Sequence, residues 1–242
     1  MRLTGKVKSF NFAYTMEHKN NSDITYEEDF YKIELEIPRL SDNIDIIPVY
    51  CSEKLILDMN IQENDILQVN GEIRTRNITE EDGTRYTDVY GYANEIEHIE
   101  SIDIRNANII ELEGIVRRTP KIRKTLRSDR TIANATIAIR RKYGYNDRFD
   151  YIPCILWGRD AILGSKRNQG DRVSLIGRFQ SREYYNKNKE ISITVYEVSV
   201  IKMEVLEKVD ETTVIIGEVP EQGEMEVEVA VINNAEMEQQ DE

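Results

Sequence analysis

The chain has 242 residues, of which 32 are Lys or Arg and 45 are Asp or Glu, a formal net charge of −13 with 40% hydrophobic residues. That length allows one large or two small domains with their own cores, and no apolar run approaches the roughly 20 residues of a membrane helix. Two cysteines, Cys51 and Cys154, exclude a disulfide framework and read as small buried residues in a reducing, cytoplasmic setting; Met1 to Lys8 holds no apolar stretch of a secretory signal.

Taken in chain order, one pattern occurs twice. Leu3-Thr4-Gly5-Lys6-Val7 opens the first copy, followed by Ile47-Pro48-Val49, a short helix over Ser52 to Asn60, and a run from Asn64 to Arg76. After a polar joint, Ser101 to Ala107, Leu112-Glu113-Gly114-Ile115-Val116 opens the second. There Thr131 to Ile139 puts Ala133, Ala135, Ile137 and Ile139 on one face at period two, as a half-buried strand does. Ile152-Pro153-Cys154 then answers Ile47-Pro48-Val49, a short helix falls over Gly158 to Lys166, and Gly170 to Arg182 answers Asn64 to Arg76. Ile191 to Val195 closes the pattern as another alternating strand.

Gly71 and Gly177 sit at matching places inside strands, where glycine predicts a bulge or a tight bend in a curled sheet. Five short strands with one helix after the third is the order of an OB-fold barrel. The fold expected is therefore all-β: two tandem five-stranded OB barrels, each with one short helix, over residues 1–103 and 104–206. Residues 207–242 hold one Lys and 12 acids, and predict a disordered acidic tail.

The charge is not evenly spread. Residues 1–100 carry −11, residues 101–206 carry +9, and the tail carries −11. Half of the 14 residues from Arg117 to Arg130 are basic, namely Arg117, Arg118, Lys121, Arg123, Lys124, Arg127 and Arg130. Further clusters are Arg140-Arg141-Lys142, and Arg178 and Arg182 with Lys187 and Lys189. Three basic clusters inside an acidic protein point to a phosphate-bearing ligand for that block alone.

From Asn108 to about Met203 the chain resembles the OB domain of bacterial single-stranded DNA-binding proteins. The resemblance runs through Leu112 to Val116 with Thr119-Pro120, Ala133 to Ala138, Phe149 to Arg159, Gly170 to Val173 and Ile176 to Tyr184. A tandem arrangement is similar to the branch of that family in which one chain does the work of two subunits. The resemblance implies base stacking on Tyr143, Tyr151, Trp157 and Tyr184, with Tyr145 and Tyr185 widening the platform, while Phe149 stays open between core and platform. Tyr196 and Phe179 read as core. Phosphate contacts are expected from Arg117, Arg118, Lys121, Arg123, Lys124, Arg127, Arg140, Arg141, Lys142, Arg178, Arg182, Lys187 and Lys189.

The expected ligand is single-stranded DNA, bound in replication, recombination or repair, with RNA open as an alternative. The family displays four OB domains per assembly, so two per chain imply a homodimer, with replication or repair proteins as further partners. In the first copy, Ile46, Ser52 and Ile78 stand where Tyr151, Trp157 and Tyr184 stand in the second. That copy is expected to pair with a subunit or bind a protein. The rival reading for the whole chain is an OB-fold scaffold protein of a replication or conjugation complex. The sequence shows no zinc-ligand spacing, phosphate loop, dinucleotide fingerprint or nucleophile elbow, so no cofactor, metal or enzymatic activity is expected.

Overall fold

The structure is a computed structural model, and it describes residues 1–19, 25–79, 83, 85–125, 129–141, 148–186 and 191–209. The tail beyond Val209 lies outside the described residues, as do Arg127, Lys142, Tyr143, Tyr145, Lys187 and Lys189.

The first barrel is built from β1 (Arg2–Lys19), β2 (Thr25–Pro38), β3 (Ile44–Ser52), β4 (Ile66–Thr79) and β5 (Arg85–His98). β1 pairs antiparallel with β2 and β4, β2 with β3, and β4 with β5. The ring closes through a short parallel contact of β3 with β5 at Val49–Gly91 and Tyr50–Tyr92. The second barrel repeats this with β6 (Asn108–Val116), β7 (Lys121–Lys124), β8 (Thr131–Arg140), β9 (Phe149–Trp157), β10 (Arg172–Asn186) and β11 (Ile191–Glu207). Its closing parallel contact is β9 with β11 at Cys154–Val198 and Ile155–Ser199. These are two OB folds. Where β1 runs unbroken, the second barrel splits the same stretch into β6 and β7 around Arg117 to Pro120, because proline has no N–H to give a sheet ladder.

Inward residues make the cores: Leu3, Ile33, Leu35, Ile47 and Leu67 in the first barrel, and Ile110, Ile137, Ile152, Leu156 and Phe179 in the second, are all essentially inaccessible to solvent. Cys51 and Cys154 are among them as free thiols, and burial pushes both up, Cys51 to about 12. Ala133, Ala135 and Ile137 are buried as their alternation predicts. Gly71 and Gly177 each mark a register shift. A Cβ there would lie 2.0 Å from the Tyr92 carbonyl oxygen or 2.5 Å from that of Ser199, so only glycine lets the strands approach as they curl.

The helices differ from expectation. The second barrel has α1 (Gly158–Gly164), but the first has only a 3-10 turn over Glu53–Leu55. The Ser52 hydroxyl caps that turn by accepting from the Lys54 amide and itself donates to Glu28. Ile56 then leaves helical backbone at φ −123°, ψ 5°. Leu55, Ile56 and Met59 nonetheless pack against the core, so the segment covers the barrel without a full helix.

The barrels share one continuous 11-stranded sheet, joined where β1 meets β6 antiparallel at Arg2–Ile109 and Leu3–Asn108. β1 and β6 are equivalent strands of the repeat, and antiparallel pairing of equivalents relates the two barrels by a local two-fold axis. No helix among the described residues is long and apolar enough to cross a membrane.

Candidate functional site

Side chains alternate across a strand, so each barrel strand has an inward and an outward set. On β9 the outward set is Phe149, Tyr151, Pro153, Ile155 and Trp157, and the inward set, Asp150, Ile152, Cys154 and Leu156, is buried. Tyr151 and Trp157 thus share one face, six residues or about 20 Å apart along the strand. Registers carry that face sideways. Across β8, Ile132 and Asn134 lie opposite Trp157 and Ile155, and across β7, Arg123 and Lys121 lie opposite Ile132 and Asn134. On the other side Ser199 of β11 lies beside Ile155, and β10 follows with Arg178 opposite Ser199, Gln180 opposite Glu197 and Arg182 opposite Val195. One face of β7, β8, β9, β11 and β10 therefore collects two predicted rings and four predicted cations.

Hydrogen bonds fix these groups. Trp157 Nε1 donates to Ser199 Oγ at 3.0 Å, which pins the indole across β9 and β11. Gly158, at φ +51°, turns the chain out of β9 directly after it, and an open cleft beside the indole is lined by Arg130, Thr131 and Gly158. Tyr151 has its ring on the solvent side, with the Arg117 guanidinium 5.9 Å from its centroid. Arg123 donates to Asn134 Oδ1 at 3.3 Å and Arg178 to Gln180 Oε1 at 3.3 Å. Both partners are neutral and orient the guanidinium without cancelling its charge. Burial pushes both arginines below their ordinary range, assisted by the charge of Arg182 on Arg123 and of Arg39 on Arg178. Arginine stays charged regardless, so cations crowded in partial burial are a place where an anion is welcome. Arg182 faces the one carboxylate of this group, Glu197, at a long 3.5 Å.

Other predicted residues lie elsewhere. Arg141 is the clear departure: both oxygens of Asp150 accept from it at 2.7 Å, and it donates at 2.8 Å to the Thr75 carbonyl of the first barrel. Its charge is neutralised at the junction between barrels, so it is not part of the face. Lys124 pairs with Asp129 across its own hairpin, while Arg118 and Arg140 are exposed. Tyr184 and Tyr185 lie on β10, with their side chains outside the described set. Phe179 is core as expected, with Tyr196 packed against it, and burial raises the Tyr196 hydroxyl to about 12.

The same face of the first barrel holds an arrangement that sequence reasoning missed. Tyr14 stacks on Phe30 at 5.1 Å, Tyr50 meets Tyr90 edge-on at 4.9 Å, and Arg74 lies over the Tyr92 ring at 3.4 Å. Arg76 covers Tyr50 and Tyr90. Each arginine has its own carboxylate, Glu72 at 3.3 Å for Arg74 and Asp88 at 2.8 Å for Arg76. Phe30, Tyr50 and Tyr90 are buried, and burial first of all raises the Tyr14 hydroxyl to about 12. The signal was the i, i+2 spacing of Tyr90 and Tyr92 on β5, the places taken by Glu197 and Ser199 in the second barrel.

Comparison with known proteins bears on the fold. The chain is similar to the crystal structure of wild-type single-stranded DNA-binding protein from Thermus aquaticus, with TM-score 0.62 and 17% identity over 86% of this chain and 93% of that one. A deletion and substitution mutant of that Thermus aquaticus protein matches with TM-score 0.55 and 17% identity, over 87% and 96% of the two chains. At that identity the likeness is one of fold, and it spans both barrels. No curated protein sequence is detectably similar. Residues 107–206, the span of the second barrel, match the profile of the Single-strand binding protein family.

Proposed function

We propose that this chain binds single-stranded DNA with little sequence preference, and that the outward face of its second barrel is the site. One observation carries the reading. Trp157 and Tyr151 share a solvent-side face with Arg123, Arg178 and Arg182, rings for bases beside guanidiniums for phosphates. A ring stacks any base, which makes such binding sequence-tolerant, and about 0.7 of a log unit of salt dependence accompanies each phosphate neutralised. The outward-facing Lys121 and Arg117 and the exposed Arg118 and Arg140 add positive charge from the same basic block.

Trp157 is the only tryptophan, so its fluorescence reports the site directly. Oligo-dT at low salt quenches it and rising salt reverses the effect; an unchanged signal with no mobility shift contradicts the proposal. Oligo-U in the same titration separates DNA from RNA preference. We further propose a homodimer presenting four barrels, which sedimentation at the mass of one chain would refute without touching the binding site. Protection and organisation of single strands in replication, recombination and repair is the role that such binding serves.

A further inference from the structure

We infer that the first barrel completes the strand-binding face by holding two of its walls, and that Thr75 is a positioning residue for Tyr151; the inference rests on the reading of that face just given. β9 pairs with β11 only at Cys154 and Ile155, so its beginning has no sheet neighbour on that side. Thr75 of β4 fills the place. Its hydroxyl accepts from the Tyr151 amide at 3.3 Å and donates to Asp150 Oδ1 at 3.1 Å, its own amide donates to the same oxygen at 2.7 Å, and its carbonyl accepts from Arg141. The backbone that aims the Tyr151 ring outward is thus fixed from the other barrel.

The mirror clasp is built the same way. Ser181 is the repeat equivalent of Thr75 and Asp45 that of Asp150. Ser181 donates its amide to Asp45 Oδ1 at 2.8 Å, its hydroxyl accepts from the Ile46 amide at 3.2 Å, and its carbonyl accepts from Arg39 at 2.9 Å. Arg39 is itself bonded to Asp45, as Arg141 is to Asp150. Ser181 stands between Gln180 and Arg182 on β10, so this clasp fixes the wall opposite Tyr151. Asp45 and Asp150 are 1% and 3% exposed, so the carboxylate at the centre of each clasp is buried.

A mutant cycle in the full chain tests the inference, read as the dissociation constant for a dT oligonucleotide with thermal melts alongside. Thr75→Val keeps the shape and removes the hydroxyl; it should weaken binding about fivefold, the scale of one lost hydrogen bond, and Thr75→Ser should restore it. In a Tyr151→Ala background the same Thr75→Val change should cost less than twofold, because the ring it positions is gone. Equal losses in both backgrounds, or no loss in either, overturn the positioning role while leaving the face intact. If Tyr151→Ala alone changes nothing, the reading of the face fails and takes the inference with it. Should Thr75→Val not fold, Ser181→Ala with and without Arg182→Ala carries the same test, and additive losses there overturn it.

Discussion

The two barrels agree where residues point inward and part where they point outward. Each has the same strand order, a glycine register shift at Gly71 or Gly177, and the same Arg–Asp–hydroxyl clasp. On one equivalent outward face, however, the second presents Trp157 and Tyr151 beside guanidiniums oriented by neutral amides. The first fills that place with rings stacked on each other and with arginines each matched to a carboxylate. Inward residues decide the fold, and outward residues on the same strands decide what the fold can bind. Tyr14 and Phe30 cover each other, and Arg74 and Arg76 cover Tyr92, Tyr50 and Tyr90, which leaves these rings less surface to offer a base.

The largest effects should fall on what the barrels share. Asp150→Ala leaves Arg141 charged in a half-buried junction, and Asp45→Ala does the same to Arg39. Each should cost about 3–5 kcal/mol of stability, seen in denaturant melts, and a large inequality between them would break the two-fold equivalence. Next come the outward rings. Trp157→Ala or Tyr151→Ala should each weaken oligo-dT binding by about 1–3 kcal/mol in a titration, while the equivalent Ser52→Ala and Ile46→Ala should leave it unchanged.

How much of this was legible in the sequence depended on the range of the signal. The repeat, the strand alternation of Thr131 to Ile139, the bends at Gly71 and Gly177 and the helix at Gly158 are local patterns, and each appears in the structure. The first-barrel helix failed although Leu55, Ile56 and Met59 pack on the core at helical spacing, because the backbone leaves helical values at Ile56, which no local pattern announces. Arg140 and Arg141 look alike in a basic cluster, yet adjacent strand-end residues face opposite ways. One reaches solvent, and the other reaches Asp150 and a carbonyl 66 residues earlier in the chain. The Asp45–Ser181 contact spans 136 residues, and nothing in either segment alone announces it.

Smaller effects sharpen the contrast further. Arg178→Ala should lower the slope of log affinity against log salt by about 0.7, and Arg182→Ala by less, since Glu197 faces it, whereas Arg74→Ala, whose charge Glu72 already meets, should not change it. The smallest effect belongs to the first barrel alone. Burial works upward on Glu28, but hydrogen bonds from Ser52 and Lys54 and the charges of Lys54 and His18 outweigh it and hold its carboxyl below 4.5. A carboxyl lowered in the folded state stabilises the fold above its unfolded pKa and loses that contribution as pH falls through the folded one. The melting temperature should therefore drop on acidification below about pH 4.5 less steeply in Glu28→Gln than in the parent. Parallel curves would show that the Ser52–Glu28 cluster does not couple to folding.

The most direct test is to crosslink oligo-dT to the full chain with ultraviolet light at low salt and to map the modified peptides. Crosslinks concentrated on Phe149–Trp157 and on β10 are the predicted result, with none on the stacked rings of the first barrel. Crosslinks centred on Tyr14, Tyr50 or Tyr92, or spread without preference between the barrels, would contradict it.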